Sequence, residues 1–276
     1  SIYNDLGTDV TIIELEKNIL PAEDKEISNF AKKSFSSRGI KIFNEANLKE
    51  ITEFKGFNEC IFETNGELKK LKFEKVLVSI GIEGNIEDLG LENTAIKIDK
   101  GHIVTNDLMQ TNEKNIYAIG DVTGPPWLAH KASHEGIICI DHIIGNKKIH
   151  KLDKTNIPGC TYSRPQIASI GLTEEKAKAK GIEINIGKFP FNANGKALAS
   201  SEEEGFIKTI FDKNTGALIG AHLIGHEVTE LINSFAIAKS LESTEEEIMN
   251  TVFPHPTLSE SIHESVLDAF NKAIHI

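Results

Sequence analysis

Short β-branched runs ending in an acid or a glycine, separated by segments of helical spacing, constrain this chain more than any other feature. Val10-Thr11-Ile12-Ile13-Glu14 is the first such run. Val76-Leu77-Val78-Ser79-Ile80-Gly81 is the second, and Asn115-Ile116-Tyr117-Ala118-Ile119-Gly120, followed by Asp121, is the third. Apolar runs of about four to eight residues read as strands, the first two here as buried ones. Between the first two, Ile27, Phe30, Ala31, Ser34 and Phe35 recur at helical spacing, and Gly39 closes that helix. Ser1 to Gly7 reads as the end of a preceding helix. From Ile40 to Phe73 the pattern is short and strand-like, with a hairpin signal at Asn65-Gly66. This order predicts part of an α/β nucleotide-binding domain.

The second half has a different rhythm. Leu128 to Ile144 has helical spacing and ends at Gly145, and the polar stretch Asn146 to Pro158 reads as a boundary. Strands are predicted near Gln166–Leu172, Gly205–Phe211 and Ala217–Leu223. Helices are predicted near Glu174–Lys180, Glu227–Leu241 and Glu245–Asn250, the last opened by a Thr244/Glu247 capping box. Lys213-Asn214-Thr215-Gly216 reads as a hairpin loop between two of the strands.

Composition removes several function classes. With 41 acidic against 30 basic residues the formal charge is −11, which argues against a nucleic-acid partner. No apolar run reaches the ~18 residues a membrane span needs. Ser1 to Gly7 lacks the basic and apolar regions of a secretory signal. Cys60, Cys139 and Cys160 are widely spaced, so neither a disulfide framework nor a zinc site is expected. His134-Glu135, His226-Glu227 and His263-Glu264 fail the H-E-x-x-H test, having Ile138, Glu230 and Leu267 at the fifth position. They read as solvated charges on helix faces.

Three places could carry chemistry. Glu14 ends a strand, where an acid in a dinucleotide-binding unit accepts hydrogen bonds from an adenosine ribose and repels a 2′-phosphate. An ordinary solvated glutamate is the alternative. Asp121 follows a strand and precedes a helix, a place where cofactors bind and where turn aspartates are also common. Phe253-Pro254-His255-Pro256-Thr257-Leu258-Ser259-Glu260 is the most unusual segment. Two prolines preset the backbone around His255, and Glu260 is placed to hold one ring nitrogen while the other meets a substrate. Thr257 and Glu260 also have capping-box spacing, with Thr257 as N-cap.

These signals occur in one order, and in that order the chain resembles the flavoprotein disulfide reductases, within them the dihydrolipoamide dehydrogenase branch. The similarity extends through Leu128-Ala129-His130-Lys131-Ala132 and Gly220-Ala221-His222-Leu223-Ile224-Gly225 to the end of the chain. The resemblance implies an α/β and α+β architecture: a partial Rossmann-like NAD domain over 1–82, a central FAD-domain segment over 83–150, and a C-terminal α+β dimerisation domain over 151–276. It implies FAD and NAD as cofactors. Glu14 would bind the NAD ribose and Gly81 would line the nicotinamide site. Asp121 would hold the FAD ribityl chain, with Leu128, Ala129 and His130 passing close to the isoalloxazine ring. His255 would be the acid/base toward a dithiol, oriented by Glu260 and serving the other subunit of a homodimer, and the His255-Pro256 bond is expected to be cis. Lipoyl domains of 2-oxoacid dehydrogenase complexes, or the lipoyl protein of glycine cleavage, would be the partners. The compartment would be bacterial cytoplasm or mitochondrial matrix.

Within these residues the family's Gly-rich loops and Cys-x-x-x-x-Cys are not found, so the chain reads as the C-terminal portion of such an enzyme. A related flavoenzyme such as a soluble transhydrogenase, and a catalytically silent dimerisation fragment, remain the alternatives. Glu14 argues against the NADPH-using glutathione reductase branch. The end of the chain, Asn271 to Ile276, has no cysteine pair, which argues against mercuric and thioredoxin reductase types.

Overall fold

The computed structural model describes residues 1–276. Backbone contacts divide the chain into two compact units, Ser1–Val76 with Pro158–Ile276, and Leu77–Ile157. The stretch read as nucleotide-binding thus shares a unit with the stretch read as dimerisation domain.

In chain order the elements begin with α1 (Ile2–Asp5), β1 (Thr11–Ile13), α2 (Lys25–Ser37), β2 (Lys41–Phe43), β3 (Asn47–Phe54), β4 (Phe57–Thr64) and β5 (Glu67–Phe73). They continue with β6 (Ile98–Asp99), β7 (His102–Ile103), α3 (Ala129–Ile143), β8 (Gly159–Thr161) and β9 (Gln166–Gly171). The chain closes with α4 (Glu174–Ala179), β10 (Ile184–Pro190), α5 (Gly195–Ser200), β11 (Phe206–Asp212), β12 (Leu218–Gly225), α6 (Val228–Ser240), α7 (Glu245–Met249) and α8 (Glu260–Ala269).

The first unit is built on a five-stranded antiparallel sheet in the order β10-β11-β12-β9-β8. Side chains alternate across it, as the pleat requires. Ala168, Ile170, Ile207, Phe211 and Leu223 belong to a core shared with α6 and α8. Ile167, Phe206 and Ile224 join a second core with Ile27, Ala31 and Phe35 of α2. Phe30 meets Phe206 edge to face at 5.5 Å between centroids. Because both faces are covered, β11 is buried almost throughout and its sequence does not alternate.

The α2 side also holds a charged centre. Lys208 is 1% exposed and pairs with Asp24 at 3.0 Å, Glu26 at 2.8 Å and Glu174 at 2.6 Å. Burial works against its charge, but the three carboxylates overcome that and push its pKa up. Asp24 also accepts the Glu26 and Glu174 N–H groups, so it caps α2 and ties it to the start of α4. Although burial opposes ionisation of Asp24, Lys208 holds it below the usual carboxylate range.

β1 and β2 form a parallel pair, half-buried rather than buried, and β3-β4-β5 a meander whose Asn65 and Gly66 both have positive φ, as the hairpin signal requires. In the second unit β6 pairs with β7, and α3 packs Ile138 and Cys139 against Met109.

Two predicted strands are not formed. Val76–Gly81 pairs with no neighbouring strand, and Ile80 is 90% exposed. A β-branched run becomes a strand only where a neighbour takes its N–H and C=O groups. Asn115–Gly120 makes a single bridge, Tyr117 to Gln110, and then turns into a 3-10 segment, Gly120–Thr123. The Glu135 and Glu264 side chains, read as solvated, are buried because each finds partners inside: Lys131 for the first, His275 for the second.

Lys208→Met is expected to lower the unfolding free energy by about 3–5 kcal/mol, since it strands the buried Asp24 carboxylate; urea titration measures this. In the parent chain Asp24, Glu26 and Glu174 are held low, so their contribution is full above the ordinary carboxylate range and is lost in acid. Burial likewise pushes buried His222 down, so its contribution starts to fall as pH drops through the ordinary histidine value, about 6.5. The urea midpoint should therefore be flat between about pH 7 and 9, sag near 6 and collapse below 4.

Candidate functional site

Helix α8 is seated by a missing side chain. Gly187 of β10 lies so close to it that a Cβ there would sit 1.8 Å from the Ser265 carbonyl oxygen. Thr209 donates to the same carbonyl at 3.0 Å, and Asp268 accepts the Lys188 N–H at 2.7 Å. The middle and end of α8 are thereby seated on the sheet, and Glu260 is the first residue of the same helix.

The segment ahead of α8 is pinned by its apolar residues. Phe253 and Leu258 pack against the core, and Phe253 stacks on His263 at 5.4 Å. The His255-Pro256 bond is cis, as expected. Between these anchors the His255 side chain is 78% exposed, with Nδ1 at 2.9 Å from Glu260 Oε1. The other oxygen of Glu260 accepts the Thr257 N–H at 2.9 Å. Burial disfavours the Glu260 charge, but the Thr257 N–H and the His255 ring outweigh it and hold the group below its ordinary value. An ionised carboxylate only accepts, so Nδ1 carries the proton and donates it to Glu260. That leaves Nε2 of the neutral ring as the basic atom facing outward.

Glu260 therefore serves two groups at once, the His255 ring and the Thr257 N–H. The capping box is half formed: Thr257 Oγ1 donates to the Pro254 carbonyl at 2.7 Å, and Ser259 occupies the N-cap position. Sequence reasoning missed Asn194. It is 3% exposed and donates to the Thr257 carbonyl and to Ser261 Oγ, each at 3.0 Å. The signal was there in an asparagine preceding Gly195 at the start of α5. A second histidine–carboxylate pair, His275 with Glu264 at 2.7 Å, lies one helical turn further on.

The residues read as nucleotide ligands fall in both units. Glu14 directly follows β1; its N–H donates to the Phe43 carbonyl and its Oε1 accepts the Glu16 N–H at 2.8 Å. A polar crevice of about 390 Å³ opens at the carboxyl end of the β1–β2 pair, lined by Lys17, Lys32, Phe43 and Asn44 among others. Carboxyl ends of parallel strands are where nucleotides bind. Gly81, at φ 150°, lies in the exposed unpaired stretch of the second unit.

Asp121 stands in the Gly120–Thr123 turn, exposed. Leu128 is the N-cap of α3 with no side-chain cap, and Ala129 and His130 begin that helix, both exposed. An open helix N-terminus favours negative charge beside it, and the neighbouring carboxylate can accept from hydroxyls. This donor and acceptor set suits the polyol chain and the pyrimidine end of a flavin. Burial pushes the Cys60, Cys139 and Cys160 thiols up, which makes them poor nucleophiles.

Comparison with known proteins gives a consistent result. Residues 1–136 match the pyridine nucleotide-disulphide oxidoreductase domain, and residues 157–266 match the dimerisation domain of the same group. The chain is 49% identical over 276 residues to a dihydrolipoyl dehydrogenase of Zymomonas mobilis, covering 100% of this chain and 59% of that protein. It is 48% identical over 275 residues to the dihydrolipoyl dehydrogenase of Rhizobium etli, covering 99% of this chain and 57% of that protein. The crystal structure of LpdA from Mycobacterium tuberculosis superposes with a TM-score of 0.87 at 28% identity, over 96% of this chain and 57% of that one. The chain thus spans 57–59% of the length of these relatives.

Gly187→Ala tests how α8 is seated. The added methyl must push α8 off the sheet, so the substitution should destabilise by about 1–3 kcal/mol. Amide exchange at Thr257, whose N–H is held by Glu260, should quicken as well. An unchanged urea midpoint with unchanged Thr257 protection would remove the glycine from the account.

Proposed function

Because the chain belongs to the pyridine nucleotide-disulphide oxidoreductases, we propose that it forms the carboxyl-terminal portion of an NAD-dependent dihydrolipoamide dehydrogenase. The observation that carries this reading is the His255–Glu260 pair: an exposed ring whose Nδ1 is held at 2.9 Å by an ionised carboxylate that also accepts the Thr257 N–H. In this reading Nε2 takes a proton from a thiol of dihydrolipoamide, leaving a thiolate for attack on a redox disulfide. Glu260 keeps the tautomer that makes Nε2 basic, and stabilises the imidazolium once the proton has arrived. FAD, when bound, supplies the relay of electrons from dithiol to nicotinamide. Asp121 would hold its ribityl chain, and Leu128, Ala129 and His130 would flank the ring. Glu14 would take the ribose hydroxyls of NAD, and Gly81 would leave room for the nicotinamide nucleotide.

The remaining parts of the proposal follow from the same reading. The stretches 1–82, 83–150 and 151–276 act as NAD, central and dimerisation domains of a homodimer. The dithiol substrate arrives on a lipoyl domain of a 2-oxoacid dehydrogenase complex or of glycine cleavage. The redox cysteine pair comes from outside these 276 residues, since Cys139 and Cys160, the closest pair here, lie 21 positions apart. No helix is long and apolar enough to cross a membrane, and the reading places the enzyme in bacterial cytoplasm or mitochondrial matrix.

In the full-length enzyme containing this chain, His255→Gln should lower dihydrolipoamide oxidation by about 10²–10⁴-fold while leaving the flavin absorbance in place. Unchanged turnover would defeat the assignment. A second check uses the 276-residue chain with added FAD: a visible flavin band after desalting that Asp121→Ala diminishes supports the flavin contact. A band indifferent to Asp121 counts against it.

A further inference from the structure

The turn that carries Asp121 is held from behind by a buried ion pair. Gly120 has φ 79°, and its N–H donates to Glu135 Oε2 at 2.7 Å. Its carbonyl accepts from Lys131 Nζ at 3.1 Å and from Thr123 Oγ1 at 2.8 Å. Lys131 also donates to Thr123 Oγ1 at 3.1 Å and to the Gly124 carbonyl at 3.0 Å, and pairs with Glu135 Oε1 at 3.0 Å. The side chains are 1% and 3% exposed.

An ion pair so deeply buried is a weak device for stability, because desolvation cancels much of the attraction. What it does here is chemical. Both backbone polar groups of Gly120 and the carbonyl of Gly124 need partners, and an apolar pair could supply none. The pair belongs to α3, whose first residues are Ala129 and His130. The Asp121 turn and the first turn of α3 are therefore one rigid piece, joined through Lys131 and Glu135. The Asp121 carboxylate is left outside, exposed and outside every hydrogen bond that holds the turn.

We infer that Lys131 and Glu135 are positioning residues for the flavin: they fix the Asp121 turn against the start of α3 before any ligand arrives. The inference rests on the reading of Asp121 as a flavin contact. Pre-set geometry spares a ligand the ordering cost of the loop it binds.

The test uses the full-length enzyme containing this chain, as apoenzyme titrated with FAD by flavin fluorescence, with amide exchange measured in parallel. Glu135→Gln keeps the shape and removes the charge. Lys131→Met/Glu135→Leu removes both charges together, so that neither is left alone in the interior. The double variant should keep the melting temperature within a few degrees, whereas Glu135→Gln leaves Lys131 without a counter-charge in the interior and should lower it. The Gly120 amide should exchange at least about tenfold faster and the FAD dissociation constant rise at least about tenfold, as expected when a charge-assisted hydrogen bond is lost. Exchange in β11 and β12 should not change. Gly120 exchange that stays at the parent rate in both variants overturns the clamp. Faster exchange with undiminished FAD affinity overturns the positioning role while leaving the flavin reading intact. FAD affinity that Asp121→Ala leaves unchanged in the same enzyme overturns the flavin reading of Asp121, and the role inferred for the pair with it.

Discussion

Everything in the first unit hangs on the charge of Lys208. It projects from the middle strand region of a sheet covered on both faces, where an unpaired ammonium could not remain charged. Register places Lys188, Lys208, His222 and Ser169 side by side across β10, β11, β12 and β9. That row is polar in an otherwise apolar sheet, and it lies under the acidic start of α2. Asp24 connects three structures at once: it caps α2, receives the N–H at the start of α4, and neutralises Lys208. The ion network therefore decides where the β1–α2–β2 segment sits on the sheet. Apolar packing of Ile27, Ala31 and Phe35 then follows from that register.

The opposite face has a different logic. There α8 lies on β10 and β11 because Gly187 allows close approach and Thr209 anchors the Ser265 carbonyl. Its two glutamates, Glu260 and Glu264, are one turn apart and each holds a histidine from outside the helix. The first pair fixes the His255 loop and the second fixes the end of the chain. Burial works against ionisation of Glu264 too, and its hydrogen bonds to the His275 ring and to the Ile274 and His275 N–H groups hold it low. Carboxylates that are already ionised and already satisfied orient an imidazole without having to move when it gains a proton.

The sequence made the regular parts legible. The helices α2, α3, α6 and α7 fall where spacing and glycines predict, and the Thr244/Glu247 capping box is formed in full. His255 and Glu260 were legible because two prolines and a fixed spacing leave few other arrangements. The failures share a cause: each depended on a partner that the local pattern does not reveal. Val76–Gly81 has the composition of a strand but no paired neighbour. Glu135 and Glu264 read as solvated charges, because a His-Glu pair on a helix says nothing of the partners that bury it, Lys131 and His275. Lys208 drew no reading, its counter-charge Asp24 lying 184 residues away. Asn194 was missed for the same reason, its partners being 63 and 67 residues further along.

The two buried lysines solve similar problems with different consequences. Lys208 is surrounded by carboxylates from two helices, so it joins elements, and removing it would loosen their docking. Lys131 has one carboxylate and otherwise backbone carbonyls and a hydroxyl of one neighbouring turn, so it fixes that turn against its own helix rather than docking distant elements. A network spread over long separations trades on the fold's stability, whereas a network closed within 15 residues trades on local geometry. The second kind is the one expected next to a ligand. Affinity there depends on backbone held in place in advance, and the stability of the whole is affected little.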